Sequence, residues 1–226
     1  SPELFVHVDG DAATLKPMKG TARRGRTTSE DREIVERLLA SEKDRAENRM
    51  IVDLLRNDIG RLALPGSVKV PAFFSVERHP TLFQATSTIT AQLQRRANHD
   101  DLFRALFPCG SVTGAPKIET MRIINELEGE PRGVYTGAVG FLGPDERGTF
   151  SVAIRTLVSD EDEWSFRVGI GSGVTIASAA RSEYEECLLK ARFVETEPRA
   201  FRLFETILWT PEDGFDLLNE HLRRLA

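Results

Sequence analysis

Two pairs of acidic residues have a spacing that places both carboxylates on one face of a helix. Asp44 and Glu47 form one pair, and Glu183 and Glu186 form the other. The first pair continues the apolar stripe of its segment, and an unpaired inward carboxylate is costly to bury. Four carboxylates from two helices would suit a hard cation such as Mg²⁺. The alternative is that both pairs lie on solvated faces, with ion pairs such as Glu186 with Lys190.

Lys19 is a second candidate for chemistry. It lies in "KPMKGTARRG", between a proline and a Gly-Thr step, with Arg23 and Arg24 close behind. A nucleophilic amine must be neutral, and desolvation and cationic neighbours favour that state. From these residues alone, a surface lysine in a turn is the simpler interpretation.

Two glycine-containing loops and one arginine suggest anion binding. "GSVTGAPK" lacks the Gly-Lys-Ser/Thr ending of a nucleotide phosphate loop, which argues against a nucleoside triphosphatase. "GIGSGVT" allows successive backbone N–H groups to face an anion. Arg155 lies in an otherwise hydrophobic predicted strand, so it pairs either with an acid or with a ligand carboxylate.

Composition limits the partners. The chain has 226 residues and a net charge of −5, which argues against nucleic acid or an anionic membrane as a partner. Two cysteines, no signal peptide and no apolar run near the length of a membrane span predict a cytoplasmic protein. Because the chain begins at Ser1 without methionine, we interpret it as an internal fragment of a longer protein.

Periodicity predicts alternating helices and strands. A long helix is expected over residues 29–62, then an extended segment interrupted by Pro71. Three strands in an antiparallel meander are expected between residues 133 and 174. Further helices are predicted at residues 81–97, 115–127 and 181–194, followed by a linker at 195–200 and a strand, turn and helix in 201–226.

An ordered set of motifs resembles the catalytic region of the chorismate-utilising enzymes. The motifs are "SPELF", "KPMKGTARRG", "ENRMIVDLLRNDIGR", "FPCGSVTGAPKIETMRIINELE", "RGVYTGAVGFL", "SVAIRTL", "GIGSGVT" and "SEYEECLLKAR". The resemblance covers residues 1–196 and implies an α+β fold, with two antiparallel β-sheets in a sandwich flanked by helices, here N-terminally incomplete. It also implies chorismate as the substrate and Mg²⁺ in a central cleft.

The resemblance implies a role for each matching residue. Glu47 and Glu186 match the principal Mg²⁺ ligands, Asp44 and Glu183 match outer carboxylates, and Glu3 matches the acid that assists loss of the C4 hydroxyl. Matches to positions that contact the substrate are Thr21, Ser111, Tyr135, Arg155, Gly171, Ser172, Gly173 and Lys190. Gln84 departs from the pattern, because several members of the family carry histidine there.

Lys19 distinguishes branches of the family. Aminodeoxychorismate synthases resemble this chain in carrying lysine before Gly-Thr, whereas anthranilate synthases typically carry alanine. The resemblance therefore implies a covalent adduct of Lys19 with chorismate, amination at C4, and a glutamine amidotransferase subunit or domain that supplies ammonia. The alternatives are an anthranilate synthase component I with an unusual lysine, and a catalytically inactive fragment.

The C-terminal segment resembles a different family. Residues 197–226 are similar to the opening of a fold-type IV pyridoxal-phosphate (PLP) enzyme such as aminodeoxychorismate lyase. The resemblance implies that Arg224 would reach the PLP phosphate. The lysine that binds PLP in that family is absent from the chain, so this segment is not expected to be a working lyase.

Overall fold

The computed structural model describes residues 3–95, 97–159, 165–176, 178–195 and 206–225. The chain divides into two compact units, Ser1–Ala191 and Arg192–Ala226. Residue 195, the first of the predicted linker, ends a helix, whereas residues 196–200 and the predicted domain boundary between residues 196 and 197 lie outside the described residues.

A seven-stranded antiparallel sheet forms the centre of the first unit. Its hydrogen-bonded order is β3-β5-β2-β1-β7-β6, and β4 pairs with β5. The strands are β1 (Leu4–Asp9), β2 (Ala12–Lys16), β3 (Met18–Arg23), β4 (Lys69–Arg78), β5 (Leu82–Gln92), β6 (Ala138–Leu142) and β7 (Gly148–Val152). Two short strands, β8 (Leu157–Ser159) and β9 (Phe166–Val168), form a separate antiparallel pair.

The predicted helix over residues 81–97 is wrong, because most of this segment is the strand β5. Residues 83–87 are all buried, and Ile89 and Ala91 are buried beyond them, so the burial does not follow one stripe of a helix. The strand pairs with β2, β3 and β4, and these pairings decide the structure of a segment rich in threonine. The extended segment before it is the strand β4, which continues through Pro71 with irregular register beside that residue.

In the described part of the first unit, five α-helices begin. They are α1 (Thr28–Ala40), α2 (Glu42–Gly60), α3 (His99–Leu106), α4 (Lys117–Leu127) and α5 (Ala180–Glu195). The single long helix predicted over residues 29–62 is therefore two helices. Ser41 divides them, because its hydroxyl accepts a hydrogen bond from the Asp44 N–H and so caps the start of α2. Sequence analysis also missed α3, whose Leu102 and Leu106 enter the core.

Helix α2 is anchored to the sheet by both apolar and polar contacts. Its buried residues include Ile51, Leu55 and Ile59, which belong to the main hydrophobic cluster with residues of β1, β2 and β5. The fully buried Asn48 amide donates to the Ser87 hydroxyl of β5 over 2.7 Å. Since Asn48 directly follows Glu47, this bond fixes the part of α2 that carries the predicted metal ligands.

The second unit contains a short hairpin and a helix. The hairpin pairs β10 (Trp209–Thr210) with β11 (Gly214–Phe215), and α6 (Leu218–Leu225) follows. Sequence analysis predicted one strand, a turn and a helix here, so the described hairpin adds a second strand. Among the residues that the structure describes, no helix is both long and apolar enough to cross a membrane.

Candidate active site

Lys19 lies in a β-bulge rather than in the predicted turn. Met18 pairs with Thr86 and Thr21 pairs with Gln84, so two residues of β3 face one residue of β5. The second of these two, Gly20, has φ +83°, a conformation that glycine adopts without the strain of a side chain. A bulge bends its strand and redirects the neighbouring side chain, here that of Lys19.

The side chain of Gln84 holds this bulge in place. Its Nε2 donates to the Gly20 carbonyl over 2.7 Å, and its Oε1 accepts from the Thr21 hydroxyl over 2.7 Å. Gln84 is itself buried, whereas Thr21 is exposed, so the two bonds are partly shielded from water. In the sequence Gln84 is only a departure from the family pattern, because the register between β3 and β5, which places it beside Lys19, cannot be read from local spacing.

The Lys19 amine lies among groups from distant parts of the chain. A β-carbon built on Gly173 would lie 3.3 Å from Lys19 Nζ and 3.8 Å from Glu47 Oε2. Burial raises the pKa of both Glu3 and Glu47, and the positive charge of Lys19 opposes the rise in each. The fold therefore brings together Lys19 from β3, Glu3 at the start of β1, Glu47 from α2 and Gly173 from the loop after β9.

Glu3 is a buried carboxyl group with an unusual acidity. Its exposed fraction is 4%, and burial raises its pKa from 4.5 to about 7, although a hydrogen bond with Ser111 and the charge of Lys19 oppose this rise. Its Oε1 is buried and has no hydrogen-bond partner. A carboxyl group with this pKa is partly protonated at neutral pH, so it can donate a proton to a leaving group.

Lys43 joins the carboxylates of α2 and α5, and sequence analysis did not single it out. Its Nζ lies 3.5 Å from Glu183 Oε1 and 4.0 Å from Glu47 Oε1. Glu183 and Glu47, with Glu186, raise the pKa of Lys43, whereas its partial burial opposes them. Burial raises the pKa of Glu47 most, and the nearby charges of Asp44 and Glu183 raise it further. All four predicted carboxylates thus act on one region between the two helices.

The carboxylate oxygens in this region are the type of ligand that a hard cation prefers. Within the described residues, no group of three or more His, Cys, Asp or Glu side chains is arranged to hold a metal ion. Two of the carboxylates instead share the ammonium group of Lys43, which shows that they converge on one positive charge. Oxygen ligands of this kind are those that Mg²⁺ prefers.

The loop of residues 169–175 meets Tyr135 and Lys190. Lys190 Nζ donates to the Gly171 carbonyl over 2.9 Å and forms an ion pair with Glu186 over 2.7 Å. A β-carbon on Gly171 would lie 2.8 Å from the Tyr135 hydroxyl, so a side chain there would displace that hydroxyl. In the same loop, Ser172 is hydrogen-bonded to Glu183 and helps to lower the pKa of that carboxyl, after the larger effect of Ser178.

Arg155 lines a cavity that also includes Met18, the residue before Lys19. This cavity has a volume of about 580 Å³ and is also lined by Lys16, Glu77 and Gln84. Lys16 and Glu77 form an ion pair there. Gln84 therefore contributes both to this cavity and to the bulge that carries Lys19. Arg224 lies in α6 of the second unit, and its side chain is outside the described residues.

Comparison with known proteins identifies the family. Residues 1–196 match the family model described as chorismate binding enzyme. The chain belongs to the chorismate-binding enzymes. The resemblance drawn from the motifs is therefore confirmed at the level of the family.

Three similar proteins show what share of a relative's length this chain covers. It is 44% identical over 196 residues to an anthranilate synthase component 1 of Haloarcula marismortui, covering 87% of this chain and 39% of that protein. It is also 44% identical over 222 residues to an aminodeoxychorismate synthase of Streptomyces griseus, covering 96% of this chain and 30% of that protein. The structure of anthranilate synthase component I from Streptococcus pneumoniae matches with a TM-score of 0.72 and 36% identity, over 85% of this chain and 42% of that one.

These matches confirm the fold class and leave the reaction open. The mixed fold of antiparallel sheets and helices is that of the chorismate-binding enzymes. The chain spans less than half the length of these three relatives. Proteins named for two different products share the same 44% identity with the chain, so the similarity does not choose between them.

Glu3 provides a test of the site that does not depend on the reaction. Because its pKa is about 7 when folded, against 4.5 ordinarily, folding favours the protonated form. The free energy of unfolding should therefore fall as pH rises between these two values, by about 3 kcal/mol in total. Glu3→Gln should remove this part of the pH dependence in denaturant unfolding. The exposed Glu36→Gln serves as the control, and a wild-type pH dependence in Glu3→Gln would show that Glu3 is not the titrating group.

Proposed function

We propose that this chain is the catalytic part of an aminodeoxychorismate synthase, which converts chorismate and ammonia to 4-amino-4-deoxychorismate. The observation that carries the proposal is the position of Lys19, whose amine lies beside Glu47 and the glycine loop and within electrostatic reach of Glu3. A lysine at this place is a candidate nucleophile because an acid is available at the same site.

The proposed reaction has two substitution steps. The neutral Lys19 amine attacks C2 of chorismate, the ring double bonds shift, and the C4 hydroxyl leaves as water with a proton from Glu3. Ammonia then attacks C4, the double bonds shift back, and Lys19 leaves C2 as a neutral amine because the adduct nitrogen kept both of its protons. The new C4 ammonium group returns one proton to the Glu3 carboxylate. Protonation by Glu3 makes hydroxide loss easier, which is the role of a general acid with a pKa near neutrality.

Substrate and metal binding belong to the same proposal. Glu47 and Glu186 would hold Mg²⁺, with Asp44 and Glu183 as outer carboxylates. When bound, Mg²⁺ would supply positive charge for a substrate carboxylate. Contacts to chorismate are assigned to Thr21, Ser111, Tyr135, Arg155, Gly171, Ser172, Gly173 and Lys190.

The proposed partners follow from the reaction. Ammonia would come from a glutamine amidotransferase subunit or domain in the cytoplasm. The similarity of residues 197–226 to a lyase that uses PLP stays a prediction, and so does the role of Arg224. A second candidate function is anthranilate synthesis, which the identity to the Haloarcula marismortui protein favours as strongly as the first.

Product identification separates the two reactions. We expect the full-length protein, incubated with chorismate, ammonium and Mg²⁺, to form 4-amino-4-deoxychorismate, measured by mass spectrometry. Lys19→Ala should stop its formation, because the nucleophile is lost, whereas Lys69→Ala, at the exposed start of β4, should not. Anthranilate and pyruvate as the products of the unaltered protein would refute the proposal.

The carboxylates can be tested through binding of Mg²⁺ alone. Glu47→Gln and Glu186→Gln should each weaken Mg²⁺ affinity by roughly tenfold or more, measured by calorimetry without substrate. Glu42→Gln is the matched control, since Glu42 is exposed in the first turn of α2. Unchanged Mg²⁺ affinity in both variants would contradict the assignment of these ligands.

A further inference from the structure

Arg132 joins two segments that carry residues assigned to chorismate binding. Its Nη1 donates to the carbonyl of Val112, the residue after Ser111, over 2.8 Å. Its Nε and Nη2 donate to the two carboxylate oxygens of Glu128 over 2.8 and 2.6 Å. All three guanidinium nitrogens thus donate within the protein, and a planar guanidinium bonded in this way keeps one orientation.

The side chain of Arg132 is bonded to a single 3₁₀ turn, Gly110–Val112, which has Ser111 at its centre and is called the Ser111 turn below. The two backbone hydrogen bonds that close this turn measure 3.2 and 3.3 Å, so both are longer than the bond from Arg132. The turn also packs against α2, since a β-carbon on Gly110 would lie 2.6 Å from Leu54 Cδ2. The Ser111 turn is therefore attached both to helix α2 and to Arg132.

The backbone of Arg132 belongs to the segment between α4 and β6, residues 128–137, which is called the Tyr135 loop below. The Arg132 carbonyl accepts from the Tyr135 N–H over 3.1 Å, so these two residues close one turn of the loop. The next N–H, that of Thr136, donates over 2.9 Å to the carbonyl of Ala153, the residue after β7. Arg132 thus links the Tyr135 loop, through its backbone, with the Ser111 turn, through its side chain.

The ion pair of Arg132 with Glu128 is open to solvent. The side chain of Glu128 is 43% exposed, and that of Arg132 is 25% exposed. An ion pair of this kind contributes little to folding stability, because water screens the charges and the side chains lose freedom. The bond to Val112 is what joins the two segments, and removing the charge of Glu128 leaves the atoms of that bond in place.

We propose that Arg132 is a positioning residue, which holds the Ser111 turn against the Tyr135 loop and so sets the separation of two chorismate contacts. That these contacts are to chorismate rests on the proposed function, whereas the bond between the two segments does not. Without Arg132, the turn would keep its packing on α2 and the loop its bond to Ala153, but nothing in this link would fix one relative to the other. Chorismate would then have to order both segments on binding, which lowers its affinity.

Hydrogen exchange of the full-length protein without substrate tests the link itself. Arg132→Gln should speed exchange in peptides that cover residues 110–113 and 133–137 by roughly three- to tenfold, the worth of one hydrogen bond. Glu128→Gln is the matched control, because it removes the same ion pair and keeps the bond to Val112. Exchange in that variant should therefore stay close to that of the unaltered protein.

Chorismate consumption, measured with saturating ammonium and Mg²⁺ whichever product forms, tests the consequence. Arg132→Gln should raise KM for chorismate by roughly tenfold and change kcat much less, since the loss is one of substrate binding. Glu128→Gln should leave both constants near those of the unaltered protein. Arg132→Ala should regain part of its affinity in millimolar guanidinium, which a general loss of folding would not allow.

The outcomes separate this proposal from the proposed function. An unchanged KM in Arg132→Gln, or the same rise in Glu128→Gln, would overturn the positioning role, and so would unchanged exchange in Arg132→Gln. If exchange and KM respond as expected but the product is anthranilate, the positioning role holds and only the proposed function fails. If the unaltered protein consumes no chorismate, the proposed function fails, and the exchange measurement still decides whether Arg132 holds the two segments together.

Discussion

Two residues of β3, Lys19 and Gly20, face the single residue Ala85 of β5, and the site depends on this mismatch. Without the extra residue, the regular alternation of a strand would set the direction of the Lys19 side chain. The positive φ of Gly20 and the two hydrogen bonds of Gln84 keep the bulge in one form. Because β5 also pairs with β2 and β4, it holds the proposed nucleophile, Lys19, at a fixed place.

The carboxyl groups around Lys19 form two sets, Glu3 and the carboxylates between α2 and α5, and the two sets have different surroundings. Glu3 is protonated part of the time because it is buried, whereas Glu47 shares the region between α2 and α5 with other carboxylates. The positive charge of Lys19 stabilises the ionised forms of Glu3 and Glu47. Burial raises the pKa of Glu3, whereas hydrogen bonds from Ser178 and Ser172 lower the pKa of Glu183, so the surroundings of these two carboxyl groups separate their protonation and allow different roles.

The sequence predicted the parts of this site better than their arrangement. The spacing of the acidic pairs placed Asp44 with Glu47 and Glu183 with Glu186 on helices, and the structure confirms those helices. Periodicity failed at β5, where Leu82, Ala85 and Ile89 fit a helical stripe although pairing with three strands makes the segment extended. That error hid Gln84, because its contact with Gly20 depends on strand register and not on local spacing. The same holds for Ser111 and Glu3, which are far apart in the chain and meet only in the folded protein.

The central claim is that Lys19 forms a covalent bond with chorismate, and intact-mass spectrometry tests it most directly. The full-length protein is mixed with chorismate and Mg²⁺ without ammonia, quenched in acid, and digested to locate any modified peptide. The account predicts a mass increase equal to chorismate minus water on the peptide that contains Lys19, and its absence in Lys19→Ala. An adduct that persists in Lys19→Ala, or product formation with no adduct on Lys19 at any time, would contradict it.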